Sequence, residues 1–350
     1  MTKLLIITQK VDSSDPILGF FVRWIEEFSK YTEKLTVICL EKGEYDLPEN
    51  VKVLSLGKEA GKSRVKYLFN FYRHIWRERK NYDAVFVHMN PEYVIWGWAD
   101  WKILGKKIAL WYTHKSVDLK LRLAEKLVNK IFTASRESFR LLSKKVEVLG
   151  HGIDTNKFST QKSPVYAEAF TDKKLSDKLR VITAGRIAPI KNLKILINTA
   201  EILKNQRSDF EVKIVGKAIT ESDKIYFEEL ELMIQKKGLE KIVSFAGPYL
   251  HLIMPDFYNE GDVLVNLSET GSVDKAVLEA MACGITVITS NEAFKNILPS
   301  RYFLDQKTPE ALAEKLQKLL GENRPNLELR DIVVQNHSLD KLIKKIVSAL

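Results

Sequence analysis

The sequence predicts an α/β protein built as two doubly wound domains, and three observations carry that expectation. Short apolar runs rich in β-branched residues alternate with longer stretches of helical period, the pattern of βαβ units on parallel sheets. The rhythm breaks once, over the polar stretch 159–178, "STQKSPVYAEAFTDKKLSDK", which reads as a linker region, and then resumes. The chain has 350 residues, longer than most single cores, and a prior of ~150 residues per domain gives two.

In chain order, the first strands are expected at "LLIIT" (4–8), "LTVICL" (35–40), "VKVLSL" (51–56), "AVFVH" (84–88), "KIALWY" (107–112), "KIFTA" (130–134) and "VEVLG" (146–150). Helices such as "FFVRWIEEFSKY" and "VDLKLRLAEKLV" lie between them. The second series runs through "LRVITAG" (179–185), "FEVKIVG" (210–216), "IVSFAG" (242–247), "DVLVNLS" (262–268) and "ITVITS" (285–290). The expected division is 1–165, 166–335 and a C-terminal helix over 336–350 that packs back on the first domain.

Composition narrows the class. Hydrophobic content of 45% beside 29% charged residues excludes a disordered chain. No run approaches the ~20 apolar residues that span a bilayer, and "MTKLLIITQ" enters a strand-like run without a secretion signal. Cys39 and Cys283 sit in apolar settings that read as core, so a cytoplasmic location is expected. The net charge of +10 is uneven: residues 1–165 hold 29 Lys+Arg against 19 Asp+Glu, and the remainder 26 against 26. Such asymmetry points to an acidic partner for the first half, or to solubility alone.

In doubly wound sheets ligands bind beyond the carboxyl ends of the strands, so chemistry is sought just past each run. After "LRVITA" comes "GRIAPIKNLKILINTAEIL": Gly185 permits close backbone approach, and Arg186 and Lys191 bring two cations to one strand end. A guanidinium fork, a mobile ammonium and a helix N-terminus together suit a diphosphate. In "DVLVNLSETGSVDKAVLEAMACGITVITS" a helix is expected to start near Asp274, which reads as its cap, and to end at Gly284. Glu279 falls between Leu278 and Ala280, where an unpaired carboxylate is costly, so it needs a partner, such as a pair of sugar hydroxyls. Lys275 has no assigned role.

"GRIAPIK" followed by "LEAMACGITVITS" resembles the C-terminal domain of the retaining, GT-B-fold glycosyltransferases of the family-four (group 1) kind, and "GHGID" (150–154) is similar to the segment closing that family's N-terminal domain. The resemblance implies a GT-B fold, two Rossmann-like domains facing each other across a cleft. Residues 1–165 would bind the acceptor and 166–335 the nucleotide-sugar. It implies that Arg186 and Lys191 bind the donor diphosphate and support the leaving group, and that Glu279, the second glutamate of the family's paired motif, contacts the ribose. The first glutamate of that motif belongs eight residues earlier, where this chain has Gly271. Backbone N–H groups of Gly271, Ser272 and Val273 are candidates to meet the sugar or phosphate instead. In "PILGFF", Gly19 stands where the family has a glycine loop facing the phosphates. In "LWYTHKS", His114 stands where the family tends to carry an active-site histidine; His88 is a poorer candidate, and His151 is expected to shape the interdomain turn.

The resulting expectation is transfer of a sugar from a nucleotide-diphosphate donor to an acceptor hydroxyl with retention, in glycan, lipid-linked saccharide or cell-surface polysaccharide synthesis. No Asp-x-Asp pair and no metal-ligand spacing occurs, so neither metal nor cofactor is expected beyond the donor itself. The alternatives are a sugar-nucleotide epimerase or phosphorylase of the same shape and, ranked last, a basic nucleic-acid-binding protein. Residues 58–80 hold eight Lys/Arg against two Glu, interleaved with Tyr67, Phe69, Phe71, Tyr72 and Trp76. That segment reads either as a helix lying on an anionic membrane surface, with a lipid-linked acceptor, or as a core-facing helix with solvated cations.

Overall fold

A computed structural model describes residues 2–15, 17–160, 179–206, 209–319, 322 and 324–350. Most of the expected linker, from 161 to 178, lies outside the described residues. The chain divides into two compact units, Met1–Gly152 with His337–Leu350, and Ile153–Asn336.

The first unit holds a parallel sheet of β1 (Thr2–Val11), β2 (Thr32–Lys42), β3 (Val51–Ser55), β4 (Ala84–His88), β5 (Lys107–Trp111), β6 (Lys130–Thr133) and β7 (Val146–Val148), in the order β3-β2-β1-β4-β5-β6-β7. Every adjacent pair is parallel. Alternate side chains of β1 serve opposite faces: Leu4 and Ile6 enter one apolar cluster, Leu5 and Ile7 the other. Both faces are therefore covered, which is why the strands read as continuous apolar runs. The connecting helices are α1 (Phe20–Ser29), α2 (Arg64–Arg77), α3 (Pro91–Ile103) and α4 (Leu119–Leu127).

The second unit holds β8 (Leu179–Ala184), β9 (Phe210–Val215), β10 (Val243–Gly247), β11 (Val263–Asn266) and β12 (Thr286–Thr289), in the order β10-β9-β8-β11-β12. Its helices are α5 (Leu193–Gln206), α6 (Glu221–Lys236), α7 (Met254–Glu260), α8 (Lys275–Ala282), α9 (Pro309–Lys318) and α10 (Leu327–Asn336). The last helix, α11 (Leu339–Ala349), returns to the first unit and buries Leu342, Ile343 and Ile346 beside Trp24 and Phe28.

Strand order reverses between β1 and β4 in one unit and between β8 and β11 in the other. The crevice at such a switch point is where a doubly wound sheet takes its ligand. Cys39 and Cys283 are both buried, and burial raises the Cys39 thiol to about 12, as expected of core residues.

Candidate functional site

The switch point of the second unit gathers most of the sequence-predicted residues. The chain leaves β8 through Gly185, whose φ of +143° belongs to glycine, and whose N–H donates to Val215 O at 3.0 Å. Gly216, at the end of the neighbouring strand, comes so close that a Cβ there would lie 1.8 Å from Gly185 O. Two glycines thus let the loops after β8 and β9 touch. Arg186 follows with its side chain 46% exposed and its Nε 3.8 Å from Asp223. Asp223 is the third residue of α6 and completes a capping box with Thr220. Hydrogen bonds from the Thr220 backbone lead those that hold its carboxyl below the usual range despite burial.

Lys191 ends a 3₁₀ turn over Pro189–Lys191, ahead of α5 rather than within its first turn. Asn192 then takes a left-handed φ of +52°, and its side-chain amide donates to Leu267 O at 2.9 Å. That bond ties the turn to the end of β11. Together Gly185, Arg186, Lys191, Ile214, Asn266 and Leu267 line one recess.

The loop after β11 meets this turn from the other side. Lys191 Nζ lies 3.2 Å from both Ser268 Oγ and Asp274 Oδ1. Asp274 does stand at the N-cap position of α8, but its side chain makes no capping hydrogen bond. Its carboxylate accepts instead from Lys191 and, at 3.0 Å, from Asn266 Nδ2. Asp274 is therefore the counter-ion of the candidate phosphate-binding lysine. Gly271 has φ of +63°, a left-handed value that a glutamate adopts only at a cost, which gives a backbone reason for the departure from the family pattern. The turn is fixed from beneath, where Asn291 Nδ2 donates to Ser272 O at 2.8 Å. The Val273 side chain enters the core, leaving its backbone as the part available for recognition.

Glu279 is buried on α8 with protein partners already in place. Tyr258 donates to its Oε2 at 2.9 Å, and its Oε1 lies 3.2 Å from His251 Nε2. Lys157 Nζ is 3.4 Å from His251 Nδ1. The Nε2–H tautomer satisfies both contacts, accepting from Lys157 and donating to Glu279. Burial pushes the Glu279 carboxyl up, but the His251 hydrogen bond, the Tyr258 hydroxyl and the nearby Lys275 outweigh it and hold the pKa below the ordinary value. Burial drives the Lys275 ammonium well below its ordinary value, with Glu279 opposing. An ionised carboxylate offers about four lone-pair sites, and the Tyr258 and His251 contacts use two of them.

His251, Tyr258 and the Asn266–Asp274–Asn291 network were not legible in the sequence. Tyr258 and His251 sit 21 and 28 residues from Glu279, the network joins the ends of β11 and β12 to the start of α8, and no local pattern announces either.

The remaining candidates belong to the first unit. Gly19 caps α1 with ordinary helical angles, and its need for glycine is steric: a Cβ would lie 2.5 Å from Asp15 O. Around this turn, Lys10 is paired with Asp12, Asp15 and Glu41. His114 is exposed beyond β5, and its Nδ1 accepts from Ser116 N–H at 3.1 Å. His88 is buried, stacked 3.9 Å from Phe21 and 3.2 Å from Thr8 Oγ1, a core histidine. His151 is also buried, and its N–H donates to His337 Nδ1 at 3.2 Å.

Residues 178–322 match the family model described as Glycosyl transferases group 1. Among curated relatives, the tRNA-queuosine alpha-mannosyltransferase of Drosophila melanogaster is 28% identical over 209 residues, 58% of this chain and 52% of that protein. The D-inositol 3-phosphate glycosyltransferase of Paenarthrobacter aurescens is 27% identical over 115 residues, 33% of this chain and 28% of that protein. The chain thus spans about half, or less, of the length of these relatives. Among solved structures, Anabaena HepE in complex with UDP superposes with a TM-score of 0.77 at 16% identity, covering 99% of both chains.

Proposed function

We propose that this chain, whose residues 178–322 match the group 1 glycosyl transferase model and which has the GT-B fold, moves a sugar from a nucleotide-diphosphate donor to an acceptor hydroxyl. The observation that carries the proposal is the joining of Gly185, Arg186 and Lys191 around one recess at the β8–β11 switch point, inside the segment matching the family. Arg186 and Lys191 bind the diphosphate there and stabilise it as it departs, a contribution of ~3–4 kcal/mol for a well-placed donor. Glu279, held ionised, takes the ribose hydroxyls. Binding of UDP by the structural neighbour HepE supports a nucleotide donor.

Retention and metal independence are part of the same reading. The family resemblance supports the first and the lack of an Asp-x-Asp pair supports the second. The acceptor is read as lipid-linked or held at the inner face of a membrane, with the basic first unit serving it and His114 at its strand end contributing to catalysis. The family match and the relatives favour sugar transfer over epimerisation or phosphorolysis.

A thermal-shift panel of UDP, GDP, ADP and their sugars tests the core of the proposal, because ligand stabilisation follows from affinity. At least one of them should raise Tm in a concentration-dependent way and be consumed with release of its diphosphate, with chelator present or absent. No shift with any member would overturn the reading.

A further inference from the structure

Helix α2 has two apolar faces: the fold buries one and covers the other only in part. Phe71 and Ile75 point inward and are fully buried. On the outer side Val65 is 80% exposed, Leu68 38%, Phe69 65%, Tyr72 36% and Trp76 42%. Positions 65, 68, 69, 72 and 76 follow helical spacing, so these side chains form one stripe rather than scattered exposures. Ile103, at the end of α3, adds another exposed aliphatic group at 77%. Arg64, Lys66, Arg73 and Arg77 are exposed on the same helix. The acid of the helix end, Glu78, is buried and paired with Lys52, so it does not offset them.

The stripe is held in place. The Tyr72 hydroxyl donates to Trp96 O at 3.0 Å and Trp76 Nε1 donates to Asp100 at 2.7 Å, so α3 fixes both rings. Described helices include none long and apolar enough to cross a membrane. An apolar stripe flanked by cations on a helix too short to span suits a helix lying in the plane of an interface.

We propose that the outer face of α2 docks on an anionic phospholipid surface. Val65, Leu68, Phe69 and Trp76 enter the boundary between headgroups and acyl chains, while Arg64, Lys66, Arg73 and Arg77 meet the lipid phosphates. A nucleic acid accounts for the cations and the aromatic rings but not for the aliphatic groups, which cannot stack on bases and would stay in water. The proposal deepens the membrane-side acceptor reading above. Its test uses no donor, so its failure leaves sugar transfer standing.

The experiment is co-sedimentation of the full chain with vesicles of phosphatidylglycerol and phosphatidylcholine, compared with phosphatidylcholine alone and with single-stranded RNA. Binding to the anionic vesicles is expected to be at least ~10-fold tighter than to the neutral ones and to weaken with salt. The double variants Val65→Ser/Phe69→Ser and Arg73→Glu/Arg77→Glu should each lower it ~10-fold or more with unchanged Tm, since all four side chains are exposed. The proposal is overturned if anionic vesicles are not bound. It is also overturned if Val65→Ser/Phe69→Ser binds them as well as the parent, or if the chain prefers RNA and these variants lose that preference.

Discussion

Replacing Lys191 with alanine removes two things at once, and the structure allows them to be separated. The first is the cation that the proposed mechanism offers to the departing diphosphate. A well-placed donor to developing charge is worth ~3–4 kcal/mol, or about 10²–10³ in kcat. The second is the counter-ion of Asp274, whose side chain is only 15% exposed and whose Oδ1 lies 3.2 Å from Lys191 Nζ. The Asn266 amide at 3.0 Å still serves the stranded carboxylate, so the folding penalty is that of a partly compensated charged bond, about 1–2 kcal/mol. At roughly 2–4 °C per kcal/mol for a unit of this size, Tm should drop by about 2–8 °C. Adding Asp274→Asn removes the stranded charge. Differential scanning fluorimetry should then recover most of the lost Tm, while diphosphate release from the sugar donor stays low. If the double variant recovers turnover together with Tm, the effect of Lys191 was structural and the leaving-group role is wrong. If Lys191→Ala leaves Tm unchanged, the pairing with Asp274 carries no stability.

Three further outcomes are expected. Glu279→Gln keeps the shape but loses the charged acceptor, so the Kd for the nucleotide should rise ~10-fold or more by calorimetry, and His251→Asn should weaken binding in the same direction by freeing the carboxylate to move. An unchanged Kd in Glu279→Gln would remove the residue from the donor site. Installing the family's missing glutamate as Gly271→Glu should cost about 1–2 kcal/mol in Tm measurements, because the site has φ of +63°, and should not raise turnover; a stable, faster variant would refute the backbone explanation. Burial holds the His337 imidazole down at about 4, against 6.5 ordinarily. The fold favours the neutral ring, so its contribution is present above pH 6.5 and is lost as pH falls towards 4, by at most about 3 kcal/mol. Tm should decline through that window, and His337→Asn should flatten the decline; an equal slope in both proteins would show that other groups cause it.

The fold was legible because both sheets are parallel and covered on both faces. Their strands then have to be short, continuous apolar runs, and the runs quoted from the sequence coincide with β1 through β12. The positions of Arg186 and Lys191 were legible for a related reason, since both lie in the loop that leaves β8. What the sequence hid is pairing across strand ends. Asp274 precedes a helix and looks like a cap, and only the geometry turns its carboxylate away from α8 towards a lysine 83 residues earlier. Glu279 looked like a buried charge in need of a ligand, yet Tyr258 and His251 already hold it. The glycine at 271 then acquires a physical meaning. The turn that carries Ser272 O onto Asn291 requires a left-handed residue, and the nearest carboxylate with a role in the site stands three positions later, on Lys191. On the proposed reading, a donor diphosphate arriving at Lys191 meets an ammonium already paired with Asp274, so donor affinity is set by the difference between those two partners rather than by the charge of Lys191 alone.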